Sequence, residues 1–245
     1  MSAVTIEVLR RNVSRQAKQE YAEAVNSPDN LGGKVGAVFE RMENRLASGA
    51  YRFGQEIVTA DLVKEFHASR APVTTALNLL RAAGYLVIRA QVGVRVVSPS
   101  EAEVQDFFVL FGNLESVFTG LAAQRCKDEQ VQLLRNIQTE IEQNTPTVVG
   151  AVSRDFTALV ELFHKQIRVM SASPRLSTQT AQFWNVAEFY MWNMVDVVSP
   201  EGLAVGNRQR RAIIDHIAAG ESVLAQALMN DHVTSKPLRF GAIGA

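Results

Sequence analysis

Residues His67 to Val96 read HASRAPVTTALNLLRAAGYLVIRAQVGVRV, and how this stretch divides decides the fold. Ser69 is an N-cap candidate, because its hydroxyl can accept from the free N–H groups of a first helical turn, and Pro72 lies inside that turn, where its missing N–H costs nothing. Val73, Ala76, Leu77, Leu80 and Ala83 recur at helical spacing, which predicts a helix from about Arg70 to Ala83, ended by Gly84. The following YLVIRA, QVG and VRVVS alternate and are β-branched, so they read as a two-stranded hairpin with Gly93 supplying the unusual backbone angle at its tip.

Working outward, Thr59 precedes ADLVKEF, where its hydroxyl is a cap candidate and Asp61 suits the positive end of the helix dipole; a short helix is expected over 60–66. Two short helices joined by a brief turn form a helix-turn-helix, in which the first pins the second so that its outward face can enter a major groove. Adding the hairpin makes a winged helix. Between Phe66 and Ser100 the charged residues are Arg70, Arg81, Arg89 and Arg95, with no Asp or Glu among them. A surface built from this segment alone is positive, which favours an anionic partner over ordinary solubilising charge.

From Val35, VGAVFERMENRLASG puts Val38, Met42 and Leu46 on one stripe and stops at Gly49, a residue that tolerates the left-handed C′ conformation. Residues 1–33 form an extension in which TIEVLRRNVSRQAKQEYAEAV spaces Leu9, Val13, Ala17 and Tyr21 as an amphipathic helix before the breaker string NSPDNLGG. SPSEAE at 98–103 is a linker. Beyond it only helical patterns occur, at 101–126, 128–143, 152–172, 176–198, 204–219 and 221–234, broken at NTPTVVG, SASPR, VSPEG and AAGE. The expected fold is therefore mainly α: an extension (1–33), a winged helix-turn-helix domain (34–98), an all-α, six- to seven-helix antiparallel bundle (101–235) and a tail (236–245).

The bulk numbers agree with two ordinary globular domains: 245 residues, 47% hydrophobic and 20% charged. The chain has zero net charge, yet residues 1–98 carry 13 basic and 9 acidic side chains, a balance of +4, leaving −4 for the rest. Cys126 is the sole cysteine and MSAVTIEVLRR lacks the apolar core of a secretory signal, so a reducing cytoplasm is expected. No run reaches the ~18 uncharged apolar residues of a membrane span. Catalysis is not expected: there is no Gly-rich phosphate loop, nucleophile elbow or His-Glu-x-x-His pattern, and Cys126 in AAQRCKDE looks like a helix-end residue.

In this order the elements resemble the GntR family of bacterial transcription regulators, in its FadR subfamily with an all-helical FCD-type ligand-binding domain. The resemblance covers roughly 35–235 and is carried by LASGAYRFGQEI, TADLVKEFHASRAPVTTALNLLRAAGYL, VGVRV, NLESVFTGLAA, ELFHKQI followed by SASPRL, and AAGESVLAQALMNDH. It implies a homodimeric repressor that holds a double-stranded DNA operator of inverted-repeat form and a small-molecule effector in the helical domain. The family's second recognition-helix Arg falls on Thr74, and an Arg common at the start of the preceding helix falls on Ala60. The expected DNA-binding set is Ser69, Arg70, Thr74, Thr75, Arg89, Gln91 and Gly93, with a sequence preference altered by the missing arginines. Their loss also leaves open a protein-interaction module without specific DNA binding.

FCD-type domains commonly hold a divalent metal with an Asp and three His; those positions are Val160, His164, Arg210 and His232 here. Two ligands of four survive, and a guanidinium repels a cation, so no tight metal and no firm cofactor is expected. Were a metal present, His164 and His232 would hold it, with Asp155 or Glu161 displaced into the carboxylate's role. Arg210 offers instead a fork for a carboxylate, which makes an organic acid the expected effector, or else it is a solvated residue beside Arg208 and Arg211 while the two histidines are satisfied core residues. A further ligand-binding Arg of the family, four before Glu115, is Phe111, making the pocket more apolar. The effector set is thus Phe111, Val160, His164, Arg210 and His232. The run FWNVAEFYMWNM from Phe183 carries five aromatics in ten residues on all sides of a helix, which marks a helix buried on several sides.

Overall fold

A computed structural model of the chain describes residues 3–20, 33–89, 93–150, 152–195 and 198–239. Its elements in chain order are α1 (Ala3–Glu20), α2 (Gly33–Ala47), β1 (Glu56–Ile57), α3 (Thr59–Glu65), α4 (Arg70–Ala82), β2 (Leu86–Arg89), β3 (Gly93–Val96), α5 (Glu101–Arg125), α6 (Asp128–Gln143), α7 (Arg154–Met170), α8 (Pro174–Thr180), α9 (Gln182–Met194), α10 (Pro200–Ala218), α11 (Ser222–Thr234) and α12 (Lys236–Arg239). They group into two compact units. One takes the described residues of Asn26–Val104 together with Ala181–Met194; the other takes those of Met1–Val25, Gln105–Thr180 and Val195–Ala245.

The first unit is a winged helix. Val38, Met42 and Leu46 of α2 are buried as their spacing predicts, and the helix ends where Gly49, at φ +71°, donates to the Leu46 carbonyl while Ala50 reaches back to Arg45. α4 buries Val73, Ala76, Leu77 and Leu80. The helix caps differ from expectation. Thr59 is already the first residue of α3, with extended Val58 before it and no side-chain cap; Ser69 does occupy the N-cap of α4, but its hydroxyl makes no capping bond. Between the two helices His67 adopts φ +45°, and Lys34 Nζ holds its carbonyl at 2.7 Å.

The wing is a three-stranded antiparallel sheet in the order β1–β3–β2, not the two-stranded hairpin expected. β2 and β3 pair as Leu86↔Val96, Val87↔Arg95, Ile88↔Val94 and Arg89↔Gly93, and β1 adds Glu56↔Arg95 and Ile57↔Val94 on the outer edge of β3. A strand of two residues carries no periodicity, so only pairing reveals it. The hairpin tip, including Gln91, lies outside the described residues.

A second correction concerns 176–198, expected as one helix of the bundle. It is two helices parted at Ala181, and the second, α9, packs within the winged-helix unit. Its aromatics explain the placement: Phe189 is fully buried, edge-on to Phe53 and to Tyr85 with ring centroids 5.3 Å apart in each case. At Gly49 a side chain is excluded as well as disfavoured, since a Cβ there would stand 2.8 Å from that of Trp192.

The second unit is all helical. α5 buries Phe108, Phe111, Phe118 and Ala122; α6 buries Leu134, Ile137 and Ile141; α7 buries Leu159, Phe163 and Ile167; α10 buries Ile213, Ile214 and Ile217. By length and composition α5 would suit a membrane, yet over half of its most apolar window, 56%, is buried inside the protein, and it carries Glu115 at 0% exposure. Ser153 and Ser199 each accept from an amide three residues on, Phe156 and Gly202, at 3.1 Å, which fixes where α7 and α10 begin. α10 therefore starts at Pro200, a turn earlier than its apolar pattern. The extension is not detached: α1 packs on α6 and α7 with Ile6, Leu9 and Val13 buried, each side chain contributing about 1.5–3 kcal/mol of gross burial. The expected tail opens with the single turn of α12.

Candidate functional site

Because the apolar side of α4 faces its own unit, Arg70, Ala71, Thr74, Thr75, Asn78 and Arg81 are left exposed on the other. Arg70 is the first residue of the helix, where a recognition helix meets base edges. Thr75 Oγ1 donates to the Ala71 carbonyl at 3.1 Å and Asn78 Nδ2 to that of Thr74 at 3.0 Å, so both are folded along the helix. Ser69 and Ala60 are exposed too. In the wing, Arg89 lies directly across from Gly93, which has φ +113°. The surface is not acid-free in space: β1 sets Glu56 beside Arg95, Oε2 to Nη2 3.7 Å. Asn78 and Arg81 belong to this face by the same periodicity that found Thr74, and sequence reasoning passed over them as site residues.

In the helical unit a buried polar cluster centres on Glu115. Arg168 Nε and Nη2 both donate to Oε1, at 3.0 and 2.7 Å, and His164 Nδ1 lies 2.7 Å from Oε2. Burial pushes the Glu115 carboxyl up, but the Arg168 charge and the His164 hydrogen bond outweigh it, and the group titrates below the usual carboxylate range. Burial also holds the His164 imidazole below its ordinary value, against the pull of Glu115 and with help from the charges of Arg168 and Lys236. His164 is therefore neutral at pH 7, donating through Nδ1 with Nε2 as the acceptor.

The ring of His232 stacks on that of His164, centroids 5.9 Å apart and 20° from parallel, and its Nδ1 is 3.0 Å from Gln209 Oε1. Arg210 is buried at 4% exposure, not solvated; its Nε donates to Gln138 Oε1 at 2.9 Å and its Nη2 to Asn207 Oδ1. Gly206 ties these groups together, because a Cβ placed there would be 3.4 Å from Arg210 Nη1 and 3.8 Å from His232 Cε1. The structure thus gathers His164, His232 and Arg210. Val160 stands one turn before His164 on α7, half-buried, and Phe111 one turn before Glu115 on α5, stacked on Phe107 at 5.9 Å. Sequence reasoning missed Arg168, Gln138, Asn207 and Gln209. The one available signal was Arg168 itself, four positions after His164 on the apolar side of α7.

These donors do not fit a divalent metal. Among the described residues no three or more of His, Cys, Asp and Glu are placed to hold one ion, whereas such a centre needs three or four donors. Glu115 is committed to a guanidinium, Asp155 and Glu161 are exposed on α7, and Arg210 occupies the place of a ligand.

Residues 34–96 match the family described as bacterial regulatory proteins, gntR family, and residues 106–235 match the FCD domain. The Nta operon transcriptional regulator of Aminobacter aminovorans is 25% identical over 142 residues, 58% of this chain and 66% of that protein. The HTH-type transcriptional repressor GlaR of Escherichia coli is 23% identical over 195 residues, 78% of this chain and 89% of its own. Among solved structures, E. coli McbR/YncC superposes with a TM-score of 0.66 at 16% identity over 83% of this chain and 94% of its own. A putative transcriptional regulator GntR from Rhodococcus sp. RHA1 gives 0.64 at 17% over 86% and 99%. The similar proteins are regulators and not enzymes, and the chain belongs to the gntR family: it is a transcriptional regulator with a gntR-type DNA-binding domain and an FCD effector-binding domain.

Proposed function

We propose that the chain is a cytoplasmic, ligand-responsive repressor that binds a near-palindromic operator as a homodimer and releases it when a small organic acid enters the FCD domain. The observation that carries the DNA half is Arg70, exposed as the first residue of a recognition helix whose neighbours Thr74 and Thr75 offer hydroxyls and methyls in place of a second arginine. Two-fold symmetry of the protein makes a two-fold operator. The repressor role draws on the similarity to the transcriptional repressor GlaR.

For the effector, the buried Arg210 fork beside His232 supports a carboxylate, with Phe111 and Val160 as apolar neighbours one turn from the cluster. Binding changes DNA affinity only by its differential affinity for the two arrangements of the dimer. The test is Arg70→Ala against an operator selected from random duplexes. A lost bidentate contact weakens binding about 5- to 150-fold, from ~1–3 kcal/mol, with helicity and native mass unchanged. Binding in the parent falls steeply with salt as phosphate contacts release counterions. Equal affinity of the variant, or a flat salt response, overturns the assigned face.

A further inference from the structure

Where α1 lies on the helical unit it leaves an opening against α6. On α1, Asn12, Arg15 and Gln16 fall at i, i+3 and i+4; on α6, Glu129, Gln132, Leu133 and Asn136 fall at i, i+3, i+4 and i+7, so each set shares one face of its helix. The two faces line one groove of about 420 Å³, with buried Leu133 as its apolar floor and polar side chains for the rest. That volume lies in the range of small-molecule sites.

Two helices that meet along polar faces can close the seam with an ion pair or an amide pair. This seam stays open. Arg15 and Glu129 carry opposite charges on facing helices, yet among the described residues neither makes an ion pair or a side-chain hydrogen bond, and Asn12 makes none with its side chain. Gln132 Nε2 donates within its own helix, to Asn136 Oδ1 at 3.1 Å, and Gln16 Oε1 accepts from Gln166 Nε2 on α7 at 2.7 Å. Gln166 is at 0% exposure and is held by a second bond, from Nε2 to the Gln130 carbonyl at 3.3 Å; its Oε1 has no hydrogen-bond partner among the described residues. Gln16 is therefore fastened from behind, to a third helix, and not across the groove.

An unpaired guanidinium and an unpaired carboxylate on one groove suit a ligand that bears both complementary charges: a carboxylate, which the Arg15 fork can take bidentately, and an ammonium for Glu129. A plain anion would meet Glu129 and a plain cation Arg15, so the pair discriminates against both. We propose that the groove between α1 and α6 is a small-molecule site for a zwitterion of the amino-acid type, distinct from the Arg210 cluster. α6 keeps the two apart, because Gln138, which holds Arg210, comes two residues after Asn136 and so points about 200° round the helix from it. One wall of the groove, α1, lies outside both regions matched to known families. The site stands whether or not the Arg210 cluster takes an acid.

The experiment follows the melting midpoint of the full chain and hydrogen exchange in α1 against two zwitterions, L-glutamine and 4-aminobutyrate, and two single-charge controls, butyrate and butylammonium. At least one zwitterion is expected to raise the midpoint saturably and to slow exchange in α1, since it ties that helix to α6; the controls do neither. A response to glutamine alone assigns an α-amino acid, and one to 4-aminobutyrate alone assigns a longer span between the charges. Arg15 and Glu129 are both exposed, so Arg15→Gln and Glu129→Gln keep the unliganded midpoint. Each is expected to weaken binding about tenfold, while Arg210→Gln leaves the affinity as it was. No saturable response to either zwitterion, an equal response to butyrate, or binding that survives both groove variants overturns the proposal. Binding lost in Arg210→Gln but kept in the groove variants would place the zwitterion in the polar cluster instead. If Arg210→Gln does not fold, the two groove variants decide by themselves.

Discussion

Replacing Arg168 by Met removes a charge from the middle of the helical unit and keeps most of the stem that packs there. Glu115, at 0% exposure, then loses its guanidinium partner and keeps the hydrogen bond to His164. Taking away one member of a buried pair costs about 3–5 kcal/mol, because the other charge stays desolvated. For a unit of this size each kcal/mol moves the midpoint by about 2–4 °C, so Arg168→Met should melt roughly 6–20 °C below the parent in calorimetry at pH 7.5. The double variant Glu115→Gln, Arg168→Met abolishes both charges and should regain a large share of that loss, giving a strongly non-additive cycle. Part of the deficit in the single variant should vanish on acidification, since an unpaired Glu115 can take up a proton. A midpoint for Arg168→Met within about 2 °C of the parent, or strict additivity of the cycle, would refute the idea that these groups form one buried unit.

The remaining expectations concern pH, metal and backbone. His164 titrates below its unfolded value of 6.5 and Glu115 below 4.5; in both cases the unfolded chain binds protons first, so the stability is present above those values and is lost as pH falls. Melting midpoints should drop between pH 7 and 5, and His164→Gln should flatten that first limb; a midpoint that rises on acidification contradicts the neutral imidazole. Dialysis against a chelator should leave the midpoint unchanged, with well under one divalent ion per subunit by elemental analysis; a fall that zinc reverses would restore a metal centre. Gly49→Ala suffers both a left-handed backbone and a Cβ 2.8 Å from that of Trp192, whereas Gly54→Ala, at φ +74° with open space around it, suffers only the first. The expected losses in the winged helix are about 2–5 and 1–2 kcal/mol respectively, read by thermal melting; equal losses would mean that α9 does not press on Gly49.

The winged helix was legible because its evidence is periodic: Val73, Ala76, Leu77 and Leu80 share a stripe, and the strands after Gly84 alternate. What lacked a period was invisible. β1 is two residues long and exists through its partner, so Glu56 entered the wing unannounced and offset part of its charge. α9 was recognised as buried on several sides, but an aromatic helix does not state which domain buries it. In the helical unit, the resemblance led to His164, Arg210 and His232, and they do converge. Arg168 was hidden by the ordinary expectation that an arginine faces water, and only tertiary packing shows that Glu115 awaits it.

α1 has a practical consequence for anyone who handles the protein. The two family matches begin at residue 34 and leave the first helix unclaimed, yet its Ile6, Leu9 and Val13 press on α6 and α7, and Gln16 accepts from buried Gln166 at 2.7 Å. A chain trimmed to the family boundaries would turn an interior wall into a greasy exterior strip, lined in part by Leu133. Such strips drive molecules together in concentrated solution. The extension that carries no family signature is what keeps that flank of the bundle dispersed in water.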